Sequence, residues 1–270
     1  GRDNWSNARA LGRAVREFRP EIIHSFSRLL WLLPLVAERR PKIMSYQREP
    51  TGRTVAWSRR LHGGRLQFTG CSRYICERGR RRGGGTWTAI PNFVDTNAYT
   101  FVAKVPDDAP LVFLSRIERI KGVHSAIAIA HKSGRRLVLA GNRIEHGEGA
   151  RYWEEEVKPH LGKNRIEYVG PVDDRQKNDL LGQAAALVVP IEWEEPFGIV
   201  FAEALACGTP VISCPRGALP EIVRHGVDGF LVQSADEGCT AVAGLPDICR
   251  ASCRQRAETK FSVGPVAEQY

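Results

Sequence analysis

The sequence predicts an α/β chain in which parallel sheets are covered by helices on both faces. Three observations predict it. At 270 residues, with 43% hydrophobic and 26% charged, the chain is long enough for two compact units of roughly 100–150 residues each. From residue 111 onward, short apolar runs alternate with amphipathic stretches of about ten residues, the signature of βαβ units. Charge also divides the chain: residues 1–110 carry 20 Lys and Arg against 9 Asp and Glu, and the rest carry 19 against 21. Two parts of such different character suggest two domains with different partners.

In the first part, Ala8–Phe18 reads as a helix closed by Pro20, and Glu21–Ser25 as a short buried strand. Leu29–Arg39 follows as a helix complicated by Pro34, then Lys42–Tyr46 as a strand. Gly70–Arg82 reads as a strand end leading into a helix. The basic run Arg80-Arg81-Arg82 before Gly83-Gly84-Gly85 suits a helix C-terminus and turn, where cations meet the dipole. Thr88–Pro91 leads to Asn92-Phe93-Val94-Asp95, and Val105–Pro110 has the composition of a linker. In the second part the expected strands are Leu111–Ser115, Arg136–Ala140, Ile166–Val169, Ala186–Pro190, Pro210–Ser213 and Gly229–Val232. Helical patterns lie between them near 121–132, 148–161, 174–184, 198–206 and 218–225, with turn glycines at Gly134, Gly162, Gly208 and Gly226. Right-handed crossovers then make residues 106–260 a doubly wound, Rossmann-like domain.

Composition excludes several classes. The longest apolar run, Leu29–Ala37, contains Pro34 and is too short to span a bilayer. Leu29–Leu35 with Trp31 reads as a core helix, with a membrane-insertion surface as the alternative. The seven cysteines show no CxxC and no zinc spacing, which predicts buried free thiols in a reducing, cytoplasmic compartment. Asn4-Trp5-Ser6 matches a glycosylation sequon. Neither P-loop, GxGxxG, GxSxG nor HExxH occurs. The basic part lacks the aromatic-interleaved patterns of an RNA-binding protein, so no nucleic-acid partner is expected.

Two segments carry chemistry. Glu195-Pro196-Phe197-Gly198-Ile199-Val200-Phe201-Ala202-Glu203-Ala204 follows the strand ending at Pro190 and opens a helix. Ligands bind at such carboxyl ends of parallel strands. Amides from Phe197 to Val200 would face phosphate oxygens, and Gly198 leaves room for close approach. Glu195 and Glu203 lie two helical turns apart, reach different parts of one ligand, and suit the vicinal hydroxyls of sugars. The alternative is an acidic helix start that complements the macrodipole. Ser115-Arg116-Ile117-Glu118-Arg119-Ile120-Lys121-Gly122 follows the first strand of the same domain. Arg116 as a planar fork and Lys121 as a point charge can close on a diphosphate; the alternative is a solvated basic turn.

Arg116…Lys121-Gly122 together with Glu195-Pro-Phe-Gly-x4-Glu203-Ala resembles the retaining nucleotide-sugar glycosyltransferases of family 4, which have the GT-B fold. Further matches are Ile23-His24-Ser25, Ile90–Asp95, Val169–Asp174, Gly208–Ile212, and Gly217 with Pro220–Val223 and Gly226–Gly229. The resemblance implies two Rossmann-like doubly wound domains facing a cleft, the first one truncated. Residues 1–105 would be the partial acceptor-side domain, and 106–260 the domain that binds the nucleotide sugar. Residues 261–270 would start the helix returning to the first. It implies that Arg116 and Lys121 neutralise the diphosphate, while Glu195, with the amides of Phe197, Gly198, Ile199 and Val200, holds the donor sugar. Glu203 would hold the ribose, and Val172, Asp174 and Lys177 lie where relatives hold the base. No metal is implied, and the donor is a UDP- or GDP-sugar. The chain departs from the family at Phe26, where relatives often carry the second His of a His-x-His; this leaves His24 a structural, hydrogen-bonded role. It also departs in lacking the family's opening strand and glycine-rich loop, as if the first domain began upstream of Gly1.

The first expectation is therefore a retaining transferase acting on an acceptor hydroxyl of a glycan, lipid-linked molecule or small molecule. The second is a nucleotide-sugar-binding fragment or inactive homologue. The basic first domain would attract an anionic membrane surface, so the enzyme is expected in the cytoplasm, with a peripheral position at the inner face of the membrane as an option.

Overall fold

The computed structural model describes residues 2–26, 29–163 and 165–270, with side chains from Trp5 onward, so the Asn4 side chain of the sequon lies outside the described residues. The chain divides into two compact units, Gly1–Pro91 and Asn92–Tyr270. The boundary thus falls earlier than the expected 105/106, and Val105–Pro110 is not an interdomain linker. The reason is a set of hydrogen bonds that tie the residues after Pro91 to the second unit. Val94 N donates to Phe261 O at 2.7 Å, and Val102 N to Cys207 O at 3.1 Å. Arg250, buried and drawn to a lowered pKa by that burial, donates to the carbonyls of Val102, Gly182 and Ala184 and to the Thr209 hydroxyl, all within 2.9 Å. Carbonyl dipoles surround this buried guanidinium.

In the first unit, α1 (Arg2–Phe18) packs its buried Ala8 and Val15 face on the Leu29–Leu35 segment. That segment is a short 3-10 helix, and the expected α-helix to Arg39 does not form. Pro34 supplies no amide to an α-helical ladder. Leu32 and Leu35 are buried, as a core reading requires. β1 (Ile23–Ser25), β2 (Lys42–Tyr46), α2 (Gly52–His62), β3 (Leu66–Gly70), α3 (Arg73–Gly83) and β4 (Trp87–Ala89) complete the unit. The four strands are parallel and lie in chain order, β1-β2-β3-β4. Arg80, Arg81 and Arg82 close α3 ahead of Gly84 at φ 69°, as the basic run predicts. His24 Nε2 lies 2.7 Å from Ser45 Oγ, so it is hydrogen-bonded as expected, although its position is exposed and not core.

The second unit holds β5 (Leu111–Leu114), α4 (Val123–Ser133), β6 (Leu137–Ala140), α5 (Gly147–Tyr152), β7 (Ile166–Gly170), α6 (Asp174–Gly182) and β8 (Ala186–Val189). It continues through α7 (Ile199–Ala206), β9 (Val211–Ser213), α8 (Leu219–Ile222), β10 (Gly229–Leu231), α9 (Ala235–Ala243), α10 (Arg250–Lys260) and α11 (Val263–Ala267). All six strands are parallel, in the order β10-β9-β8-β5-β6-β7. Every residue of the four inner strands is buried, while the edge strands β7 and β10 are only partly so. Inner strands covered on both faces need continuous apolar runs, and Leu-Val-Phe-Leu and Ala-Leu-Val-Val supply them. The helix expected over 148–161 is instead three pieces: α5, a π-turn over Trp153–Val157 and a 3-10 turn at Lys158–His160. The wider turn seats Trp153 and Val157 in the core, and Pro159 stops the helix. α10 packs along α7, and residues 261–270 stay with this unit.

The cysteines are free, but not all are buried: Cys214 and Cys239 are half-buried and Cys249 is exposed. Among the described residues, no helix is long and apolar enough to cross a membrane.

One buried basic cluster gives the first unit a pH response. Lys42, 1% exposed, donates through Nζ to the carbonyls of Glu38 and Arg40. His62, equally buried, has its pKa lowered to about 4 by burial first, then by Lys42 and Arg65. As pH falls below the ordinary 6.5, the unfolded chain takes up a proton that folded His62 refuses. Stability from this group is full above pH 6.5 and declines towards pH 4. Thermal melts between pH 7 and 4 are expected to show a falling midpoint that is flatter over that window in His62→Leu.

Candidate active site

The strand order of the second sheet reverses between β5 and β8, which are adjacent but not consecutive in sequence. At such a point the loops after two neighbouring strands diverge and leave a crevice at their carboxyl ends. The loop after β5 carries Arg116 and Lys121, and the loop after β8 carries Glu195. The two loops meet backbone to backbone. Glu192 N donates to Ile120 O at 2.8 Å. Gly122, at φ 76°, lies so close to the other loop that a Cβ there would stand 1.9 Å from Pro190 O. No L-residue fits that approach, and glycine also supplies the left-handed conformation.

This approach brings Lys121 Nζ within 2.7 Å of Glu195 Oε2, with both side chains 11% exposed. Trp193 Nε1 donates to the same oxygen at 3.0 Å, and the Lys121 ammonium stands 4.6 Å from the centre of the Trp193 ring. A buried ion pair is stable only when its remaining valences are met, and the indole meets them on both members. A third loop, after β9, fixes the Glu195 backbone: Ala218 N donates to Glu195 O, and Gly217 N to the Glu194 carboxylate. Arg116 is exposed and turned to Glu118 at 2.7 Å, so it stands at the rim and not in the pair.

Gly198 begins α7 in the left-handed conformation, and a Cβ there would meet the Phe201 ring at 2.6 Å and Glu195 Cγ at 3.1 Å. Its missing side chain thus makes room for the protein's own residues. Phe197 is buried with its ring against Phe261 at 5.8 Å, leaving only its main chain to meet a ligand. Ile199 and Val200 open α7, where amides have no carbonyl partner within their own helix. Glu203, farther along α7, anchors a second cluster. Lys177 Nζ lies 2.8 Å and the Tyr99 hydroxyl 2.6 Å from Glu203 Oε1, and Lys177 also pairs with Asp174 at 3.1 Å. Burial works against the Lys177 charge, but hydrogen bonds to Glu203 and Tyr99 outweigh it and hold its pKa above the lysine range. Burial, then the bond to Glu203, raises the Tyr99 phenol. Val172 precedes Asp173, which caps α6 in a reciprocal box with Gln176.

The expected residues therefore form two clusters, Lys121 with Glu195 and Glu203 with Lys177 and Asp174, and Arg116 stays apart. Sequence reasoning missed Trp193 and Tyr99. Trp193 sits inside an acidic run, and Tyr99 lies in a segment that reads as irregular; only three-dimensional contact marks either.

Residues 98–241 match the family described as glycosyl transferases group 1, more than half of the chain. The chain belongs to this family. A glycogen synthase of Mycobacterium tuberculosis is 32% identical over 180 residues, 63% of this chain and 42% of that protein. A D-inositol 3-phosphate glycosyltransferase of Mycobacterium marinum is 32% identical over 154 residues, 55% of this chain and 32% of that one. The chain spans less than half of each of these relatives. Among solved structures, Anabaena HepE in complex with UDP aligns with a TM-score of 0.79 at 19% identity, over 97% of this chain and 80% of that one. A glycosyltransferase of Rickettsia africae aligns at 0.80 with 16% identity, over 98% and 78%. The α/β architecture of this group 1 glycosyl transferase is that of the GT-B enzymes.

The loop approach yields a graded test. Gly134 shares the left-handed conformation, at φ 66°, but a Cβ there meets nothing within 4 Å. In urea unfolding, Gly134→Ala is expected to cost about 1 kcal/mol for conformation alone, and Gly122→Ala at least about 2–3 kcal/mol.

Proposed function

We propose that this group 1 glycosyl transferase moves a sugar from a UDP- or GDP-sugar to an acceptor hydroxyl with retention of anomeric configuration. The observation that carries the reading is the buried Lys121–Glu195 pair at the strand-order reversal, with Glu203 of α7 and Lys177 of α6 forming a second anchor. HepE, a structural neighbour, has been crystallised with UDP and with UDP-glucose, which supports a nucleotide-sugar donor here.

In this mechanism the nucleoside extends between the two clusters. Glu203 accepts hydrogen bonds from the ribose hydroxyls through the oxygen turned away from Lys177, and the base lies along Val172–Asp174. Lys121 and the rim Arg116 neutralise the diphosphate, with the amides of Gly198, Ile199 and Val200 adding donors. As the glycosidic bond breaks, negative charge grows on the leaving phosphate oxygen, and fixed cations in a partly buried site stabilise it most. Glu195 orients the donor sugar through its hydroxyls while Trp193 holds the carboxylate. Attack comes from the face the phosphate leaves, and the phosphate takes the acceptor proton. Arg116, Lys121 and the helix start do the work of a metal, so no cofactor is required.

The acceptor is a hydroxyl of a glycan, a lipid-linked molecule or a small molecule, met in the cytoplasm. The first unit carries 19 Lys and Arg against 6 Asp and Glu, which suits an anionic bilayer at the inner face of the membrane. Sedimentation with anionic vesicles, and its absence with neutral ones, is the expected result; equal retention on both rejects a charge-driven contact.

Calorimetric titration with UDP-glucose, UDP-GlcNAc and GDP-mannose identifies the donor. With that donor, Arg116→Ala and Glu195→Gln are each expected to lower transfer by about 10²–10³-fold while the protein stays folded. Undiminished turnover in either variant overturns the assignment. UDP binding without transfer or donor hydrolysis in the unaltered chain restricts it to nucleotide-sugar binding.

A further inference from the structure

The Lys121–Glu195 pair forms only because two loops from different strands are held at a fixed spacing, and side chains outside the pair do much of the holding. His124 stands in the first turn of α4, one residue beyond Val123. Its backbone amide donates to the Tyr152 hydroxyl at 3.0 Å, and the same hydroxyl lies 2.9 Å from Nδ1 of the His124 ring. An oxygen that accepts the amide proton directs its own O–H elsewhere, and the nearest acceptor is that ring nitrogen. Nε2 then carries the N–H, and it lies 2.8 Å from Glu192 Oε1. Glu192 belongs to the loop after β8, three residues before Glu195, and its amide is the one bonded to Ile120.

The ring is held from its other side as well. Tyr152, at the end of α5, is buried, and its ring meets the His124 ring edge-on at 5.8 Å. The Arg119 guanidinium lies 5.1 Å from the Tyr152 ring centre and is paired with Glu156. A chain of contacts thus runs from α5 through Tyr152 and His124 to Glu192, straddling the loop that carries Lys121. His124, Tyr152 and Glu192 lie outside the motifs that mark the site.

We propose that His124, oriented by Tyr152 and bonded to Glu192, is a positioning residue that sets the distance between Lys121 and Glu195. The inference rests on the transferase reading for its catalytic consequence, but the geometry it describes is testable without turnover. His124 touches none of the reacting groups. It acts by joining the two loops that carry them, and a misplacement of about 1 Å in such a pair costs up to about 10²-fold in rate.

The test uses His124→Ala, Glu192→Gln and His124→Gln in the full chain. With the donor that the unaltered chain turns over, His124→Ala is expected to lower kcat about ten-fold or more with KM little changed, because the pair acts on the transition state. His124→Gln keeps a donor near the Nε2 position and is expected to recover most of the loss. Introduced into Lys121→Ala, His124→Ala is expected to cost nothing further, since neighbours acting through one contact are not additive. A purely structural role predicts the same loss in both backgrounds, and that result overturns the proposal. The second readout is the indole N–H resonance of Trp193, assigned by Trp193→Phe, because this proton reports on Glu195 directly. It is expected to shift in His124→Ala and Glu192→Gln and to return in His124→Gln. An unmoved resonance in His124→Ala overturns the proposal even in a chain that transfers no sugar. A shifted resonance in a chain that binds no donor leaves the positioning role standing and rejects the transferase reading.

Discussion

The close approach of two loop backbones at Gly122 and Pro190 is the constraint on which the rest of the site depends. A parallel sheet whose strand order reverses places two neighbouring carboxyl ends side by side with no connection between them. Nothing in the covalent chain then sets their spacing, so it must come from contacts. Here a glycine without a Cβ, a main-chain hydrogen bond from Glu192 to Ile120, and an ion pair between Lys121 and Glu195 supply them. The pair is buried enough for its charges to matter and carries the Trp193 indole against both members. Without the backbone approach, the lysine would have to cross solvent to reach its partner, and an exposed pair of that kind is worth little.

The second anchor is built differently. Glu203 lies on α7 itself, so its position is set by the helix and not by loop packing. One cation, Lys177, and the Tyr99 phenol share its carboxylate, and the balance leaves Lys177 strongly charged. One end of the site is therefore fixed by loops from different strands, the other by one rigid helix with α6 and the segment around Tyr99 packed beside it. In the proposed reading, the ligand that touches both is a nucleoside diphosphate sugar, with a compact charged centre and a more distant hydroxylated group.

Much of this was legible in the sequence, for reasons tied to particular elements. The inner strands stood out because burial on both faces demands unbroken apolar runs, as in Leu111–Leu114 and Ala186–Val189. The polar ends of those strands then located Lys121, Glu195 and Glu203. Other features depend on partners far away in sequence. α9 and α10 mix charged, small and thiol residues, so their burial pattern emerges only when they pack on α4 and α7. The stretch around Tyr99 reads as irregular because its order comes from hydrogen bonds to residues more than 70 positions away, such as Asn178 and Arg250. Tyr99 is hidden by that irregular pattern, and Trp193 by the carboxylates on either side of it. The break of the long helix after Tyr152 was marked only by Pro159, which gives no sign of the π-turn before it.

Arg250 shows what the true boundary means in practice. Its guanidinium gathers carbonyls from Val102, Gly182 and Ala184 and the Thr209 hydroxyl, so one side chain fastens the incoming segment to the base of the sheet. A chimera joined at residue 106 would discard Val102 and Tyr99 together, leaving a buried cation one acceptor short and Glu203 without its phenol. Joined at Pro91/Asn92, the transplanted unit would carry its own fastening and an intact far end of the site. The module that can be exchanged between proteins of this architecture is therefore longer than its sheet.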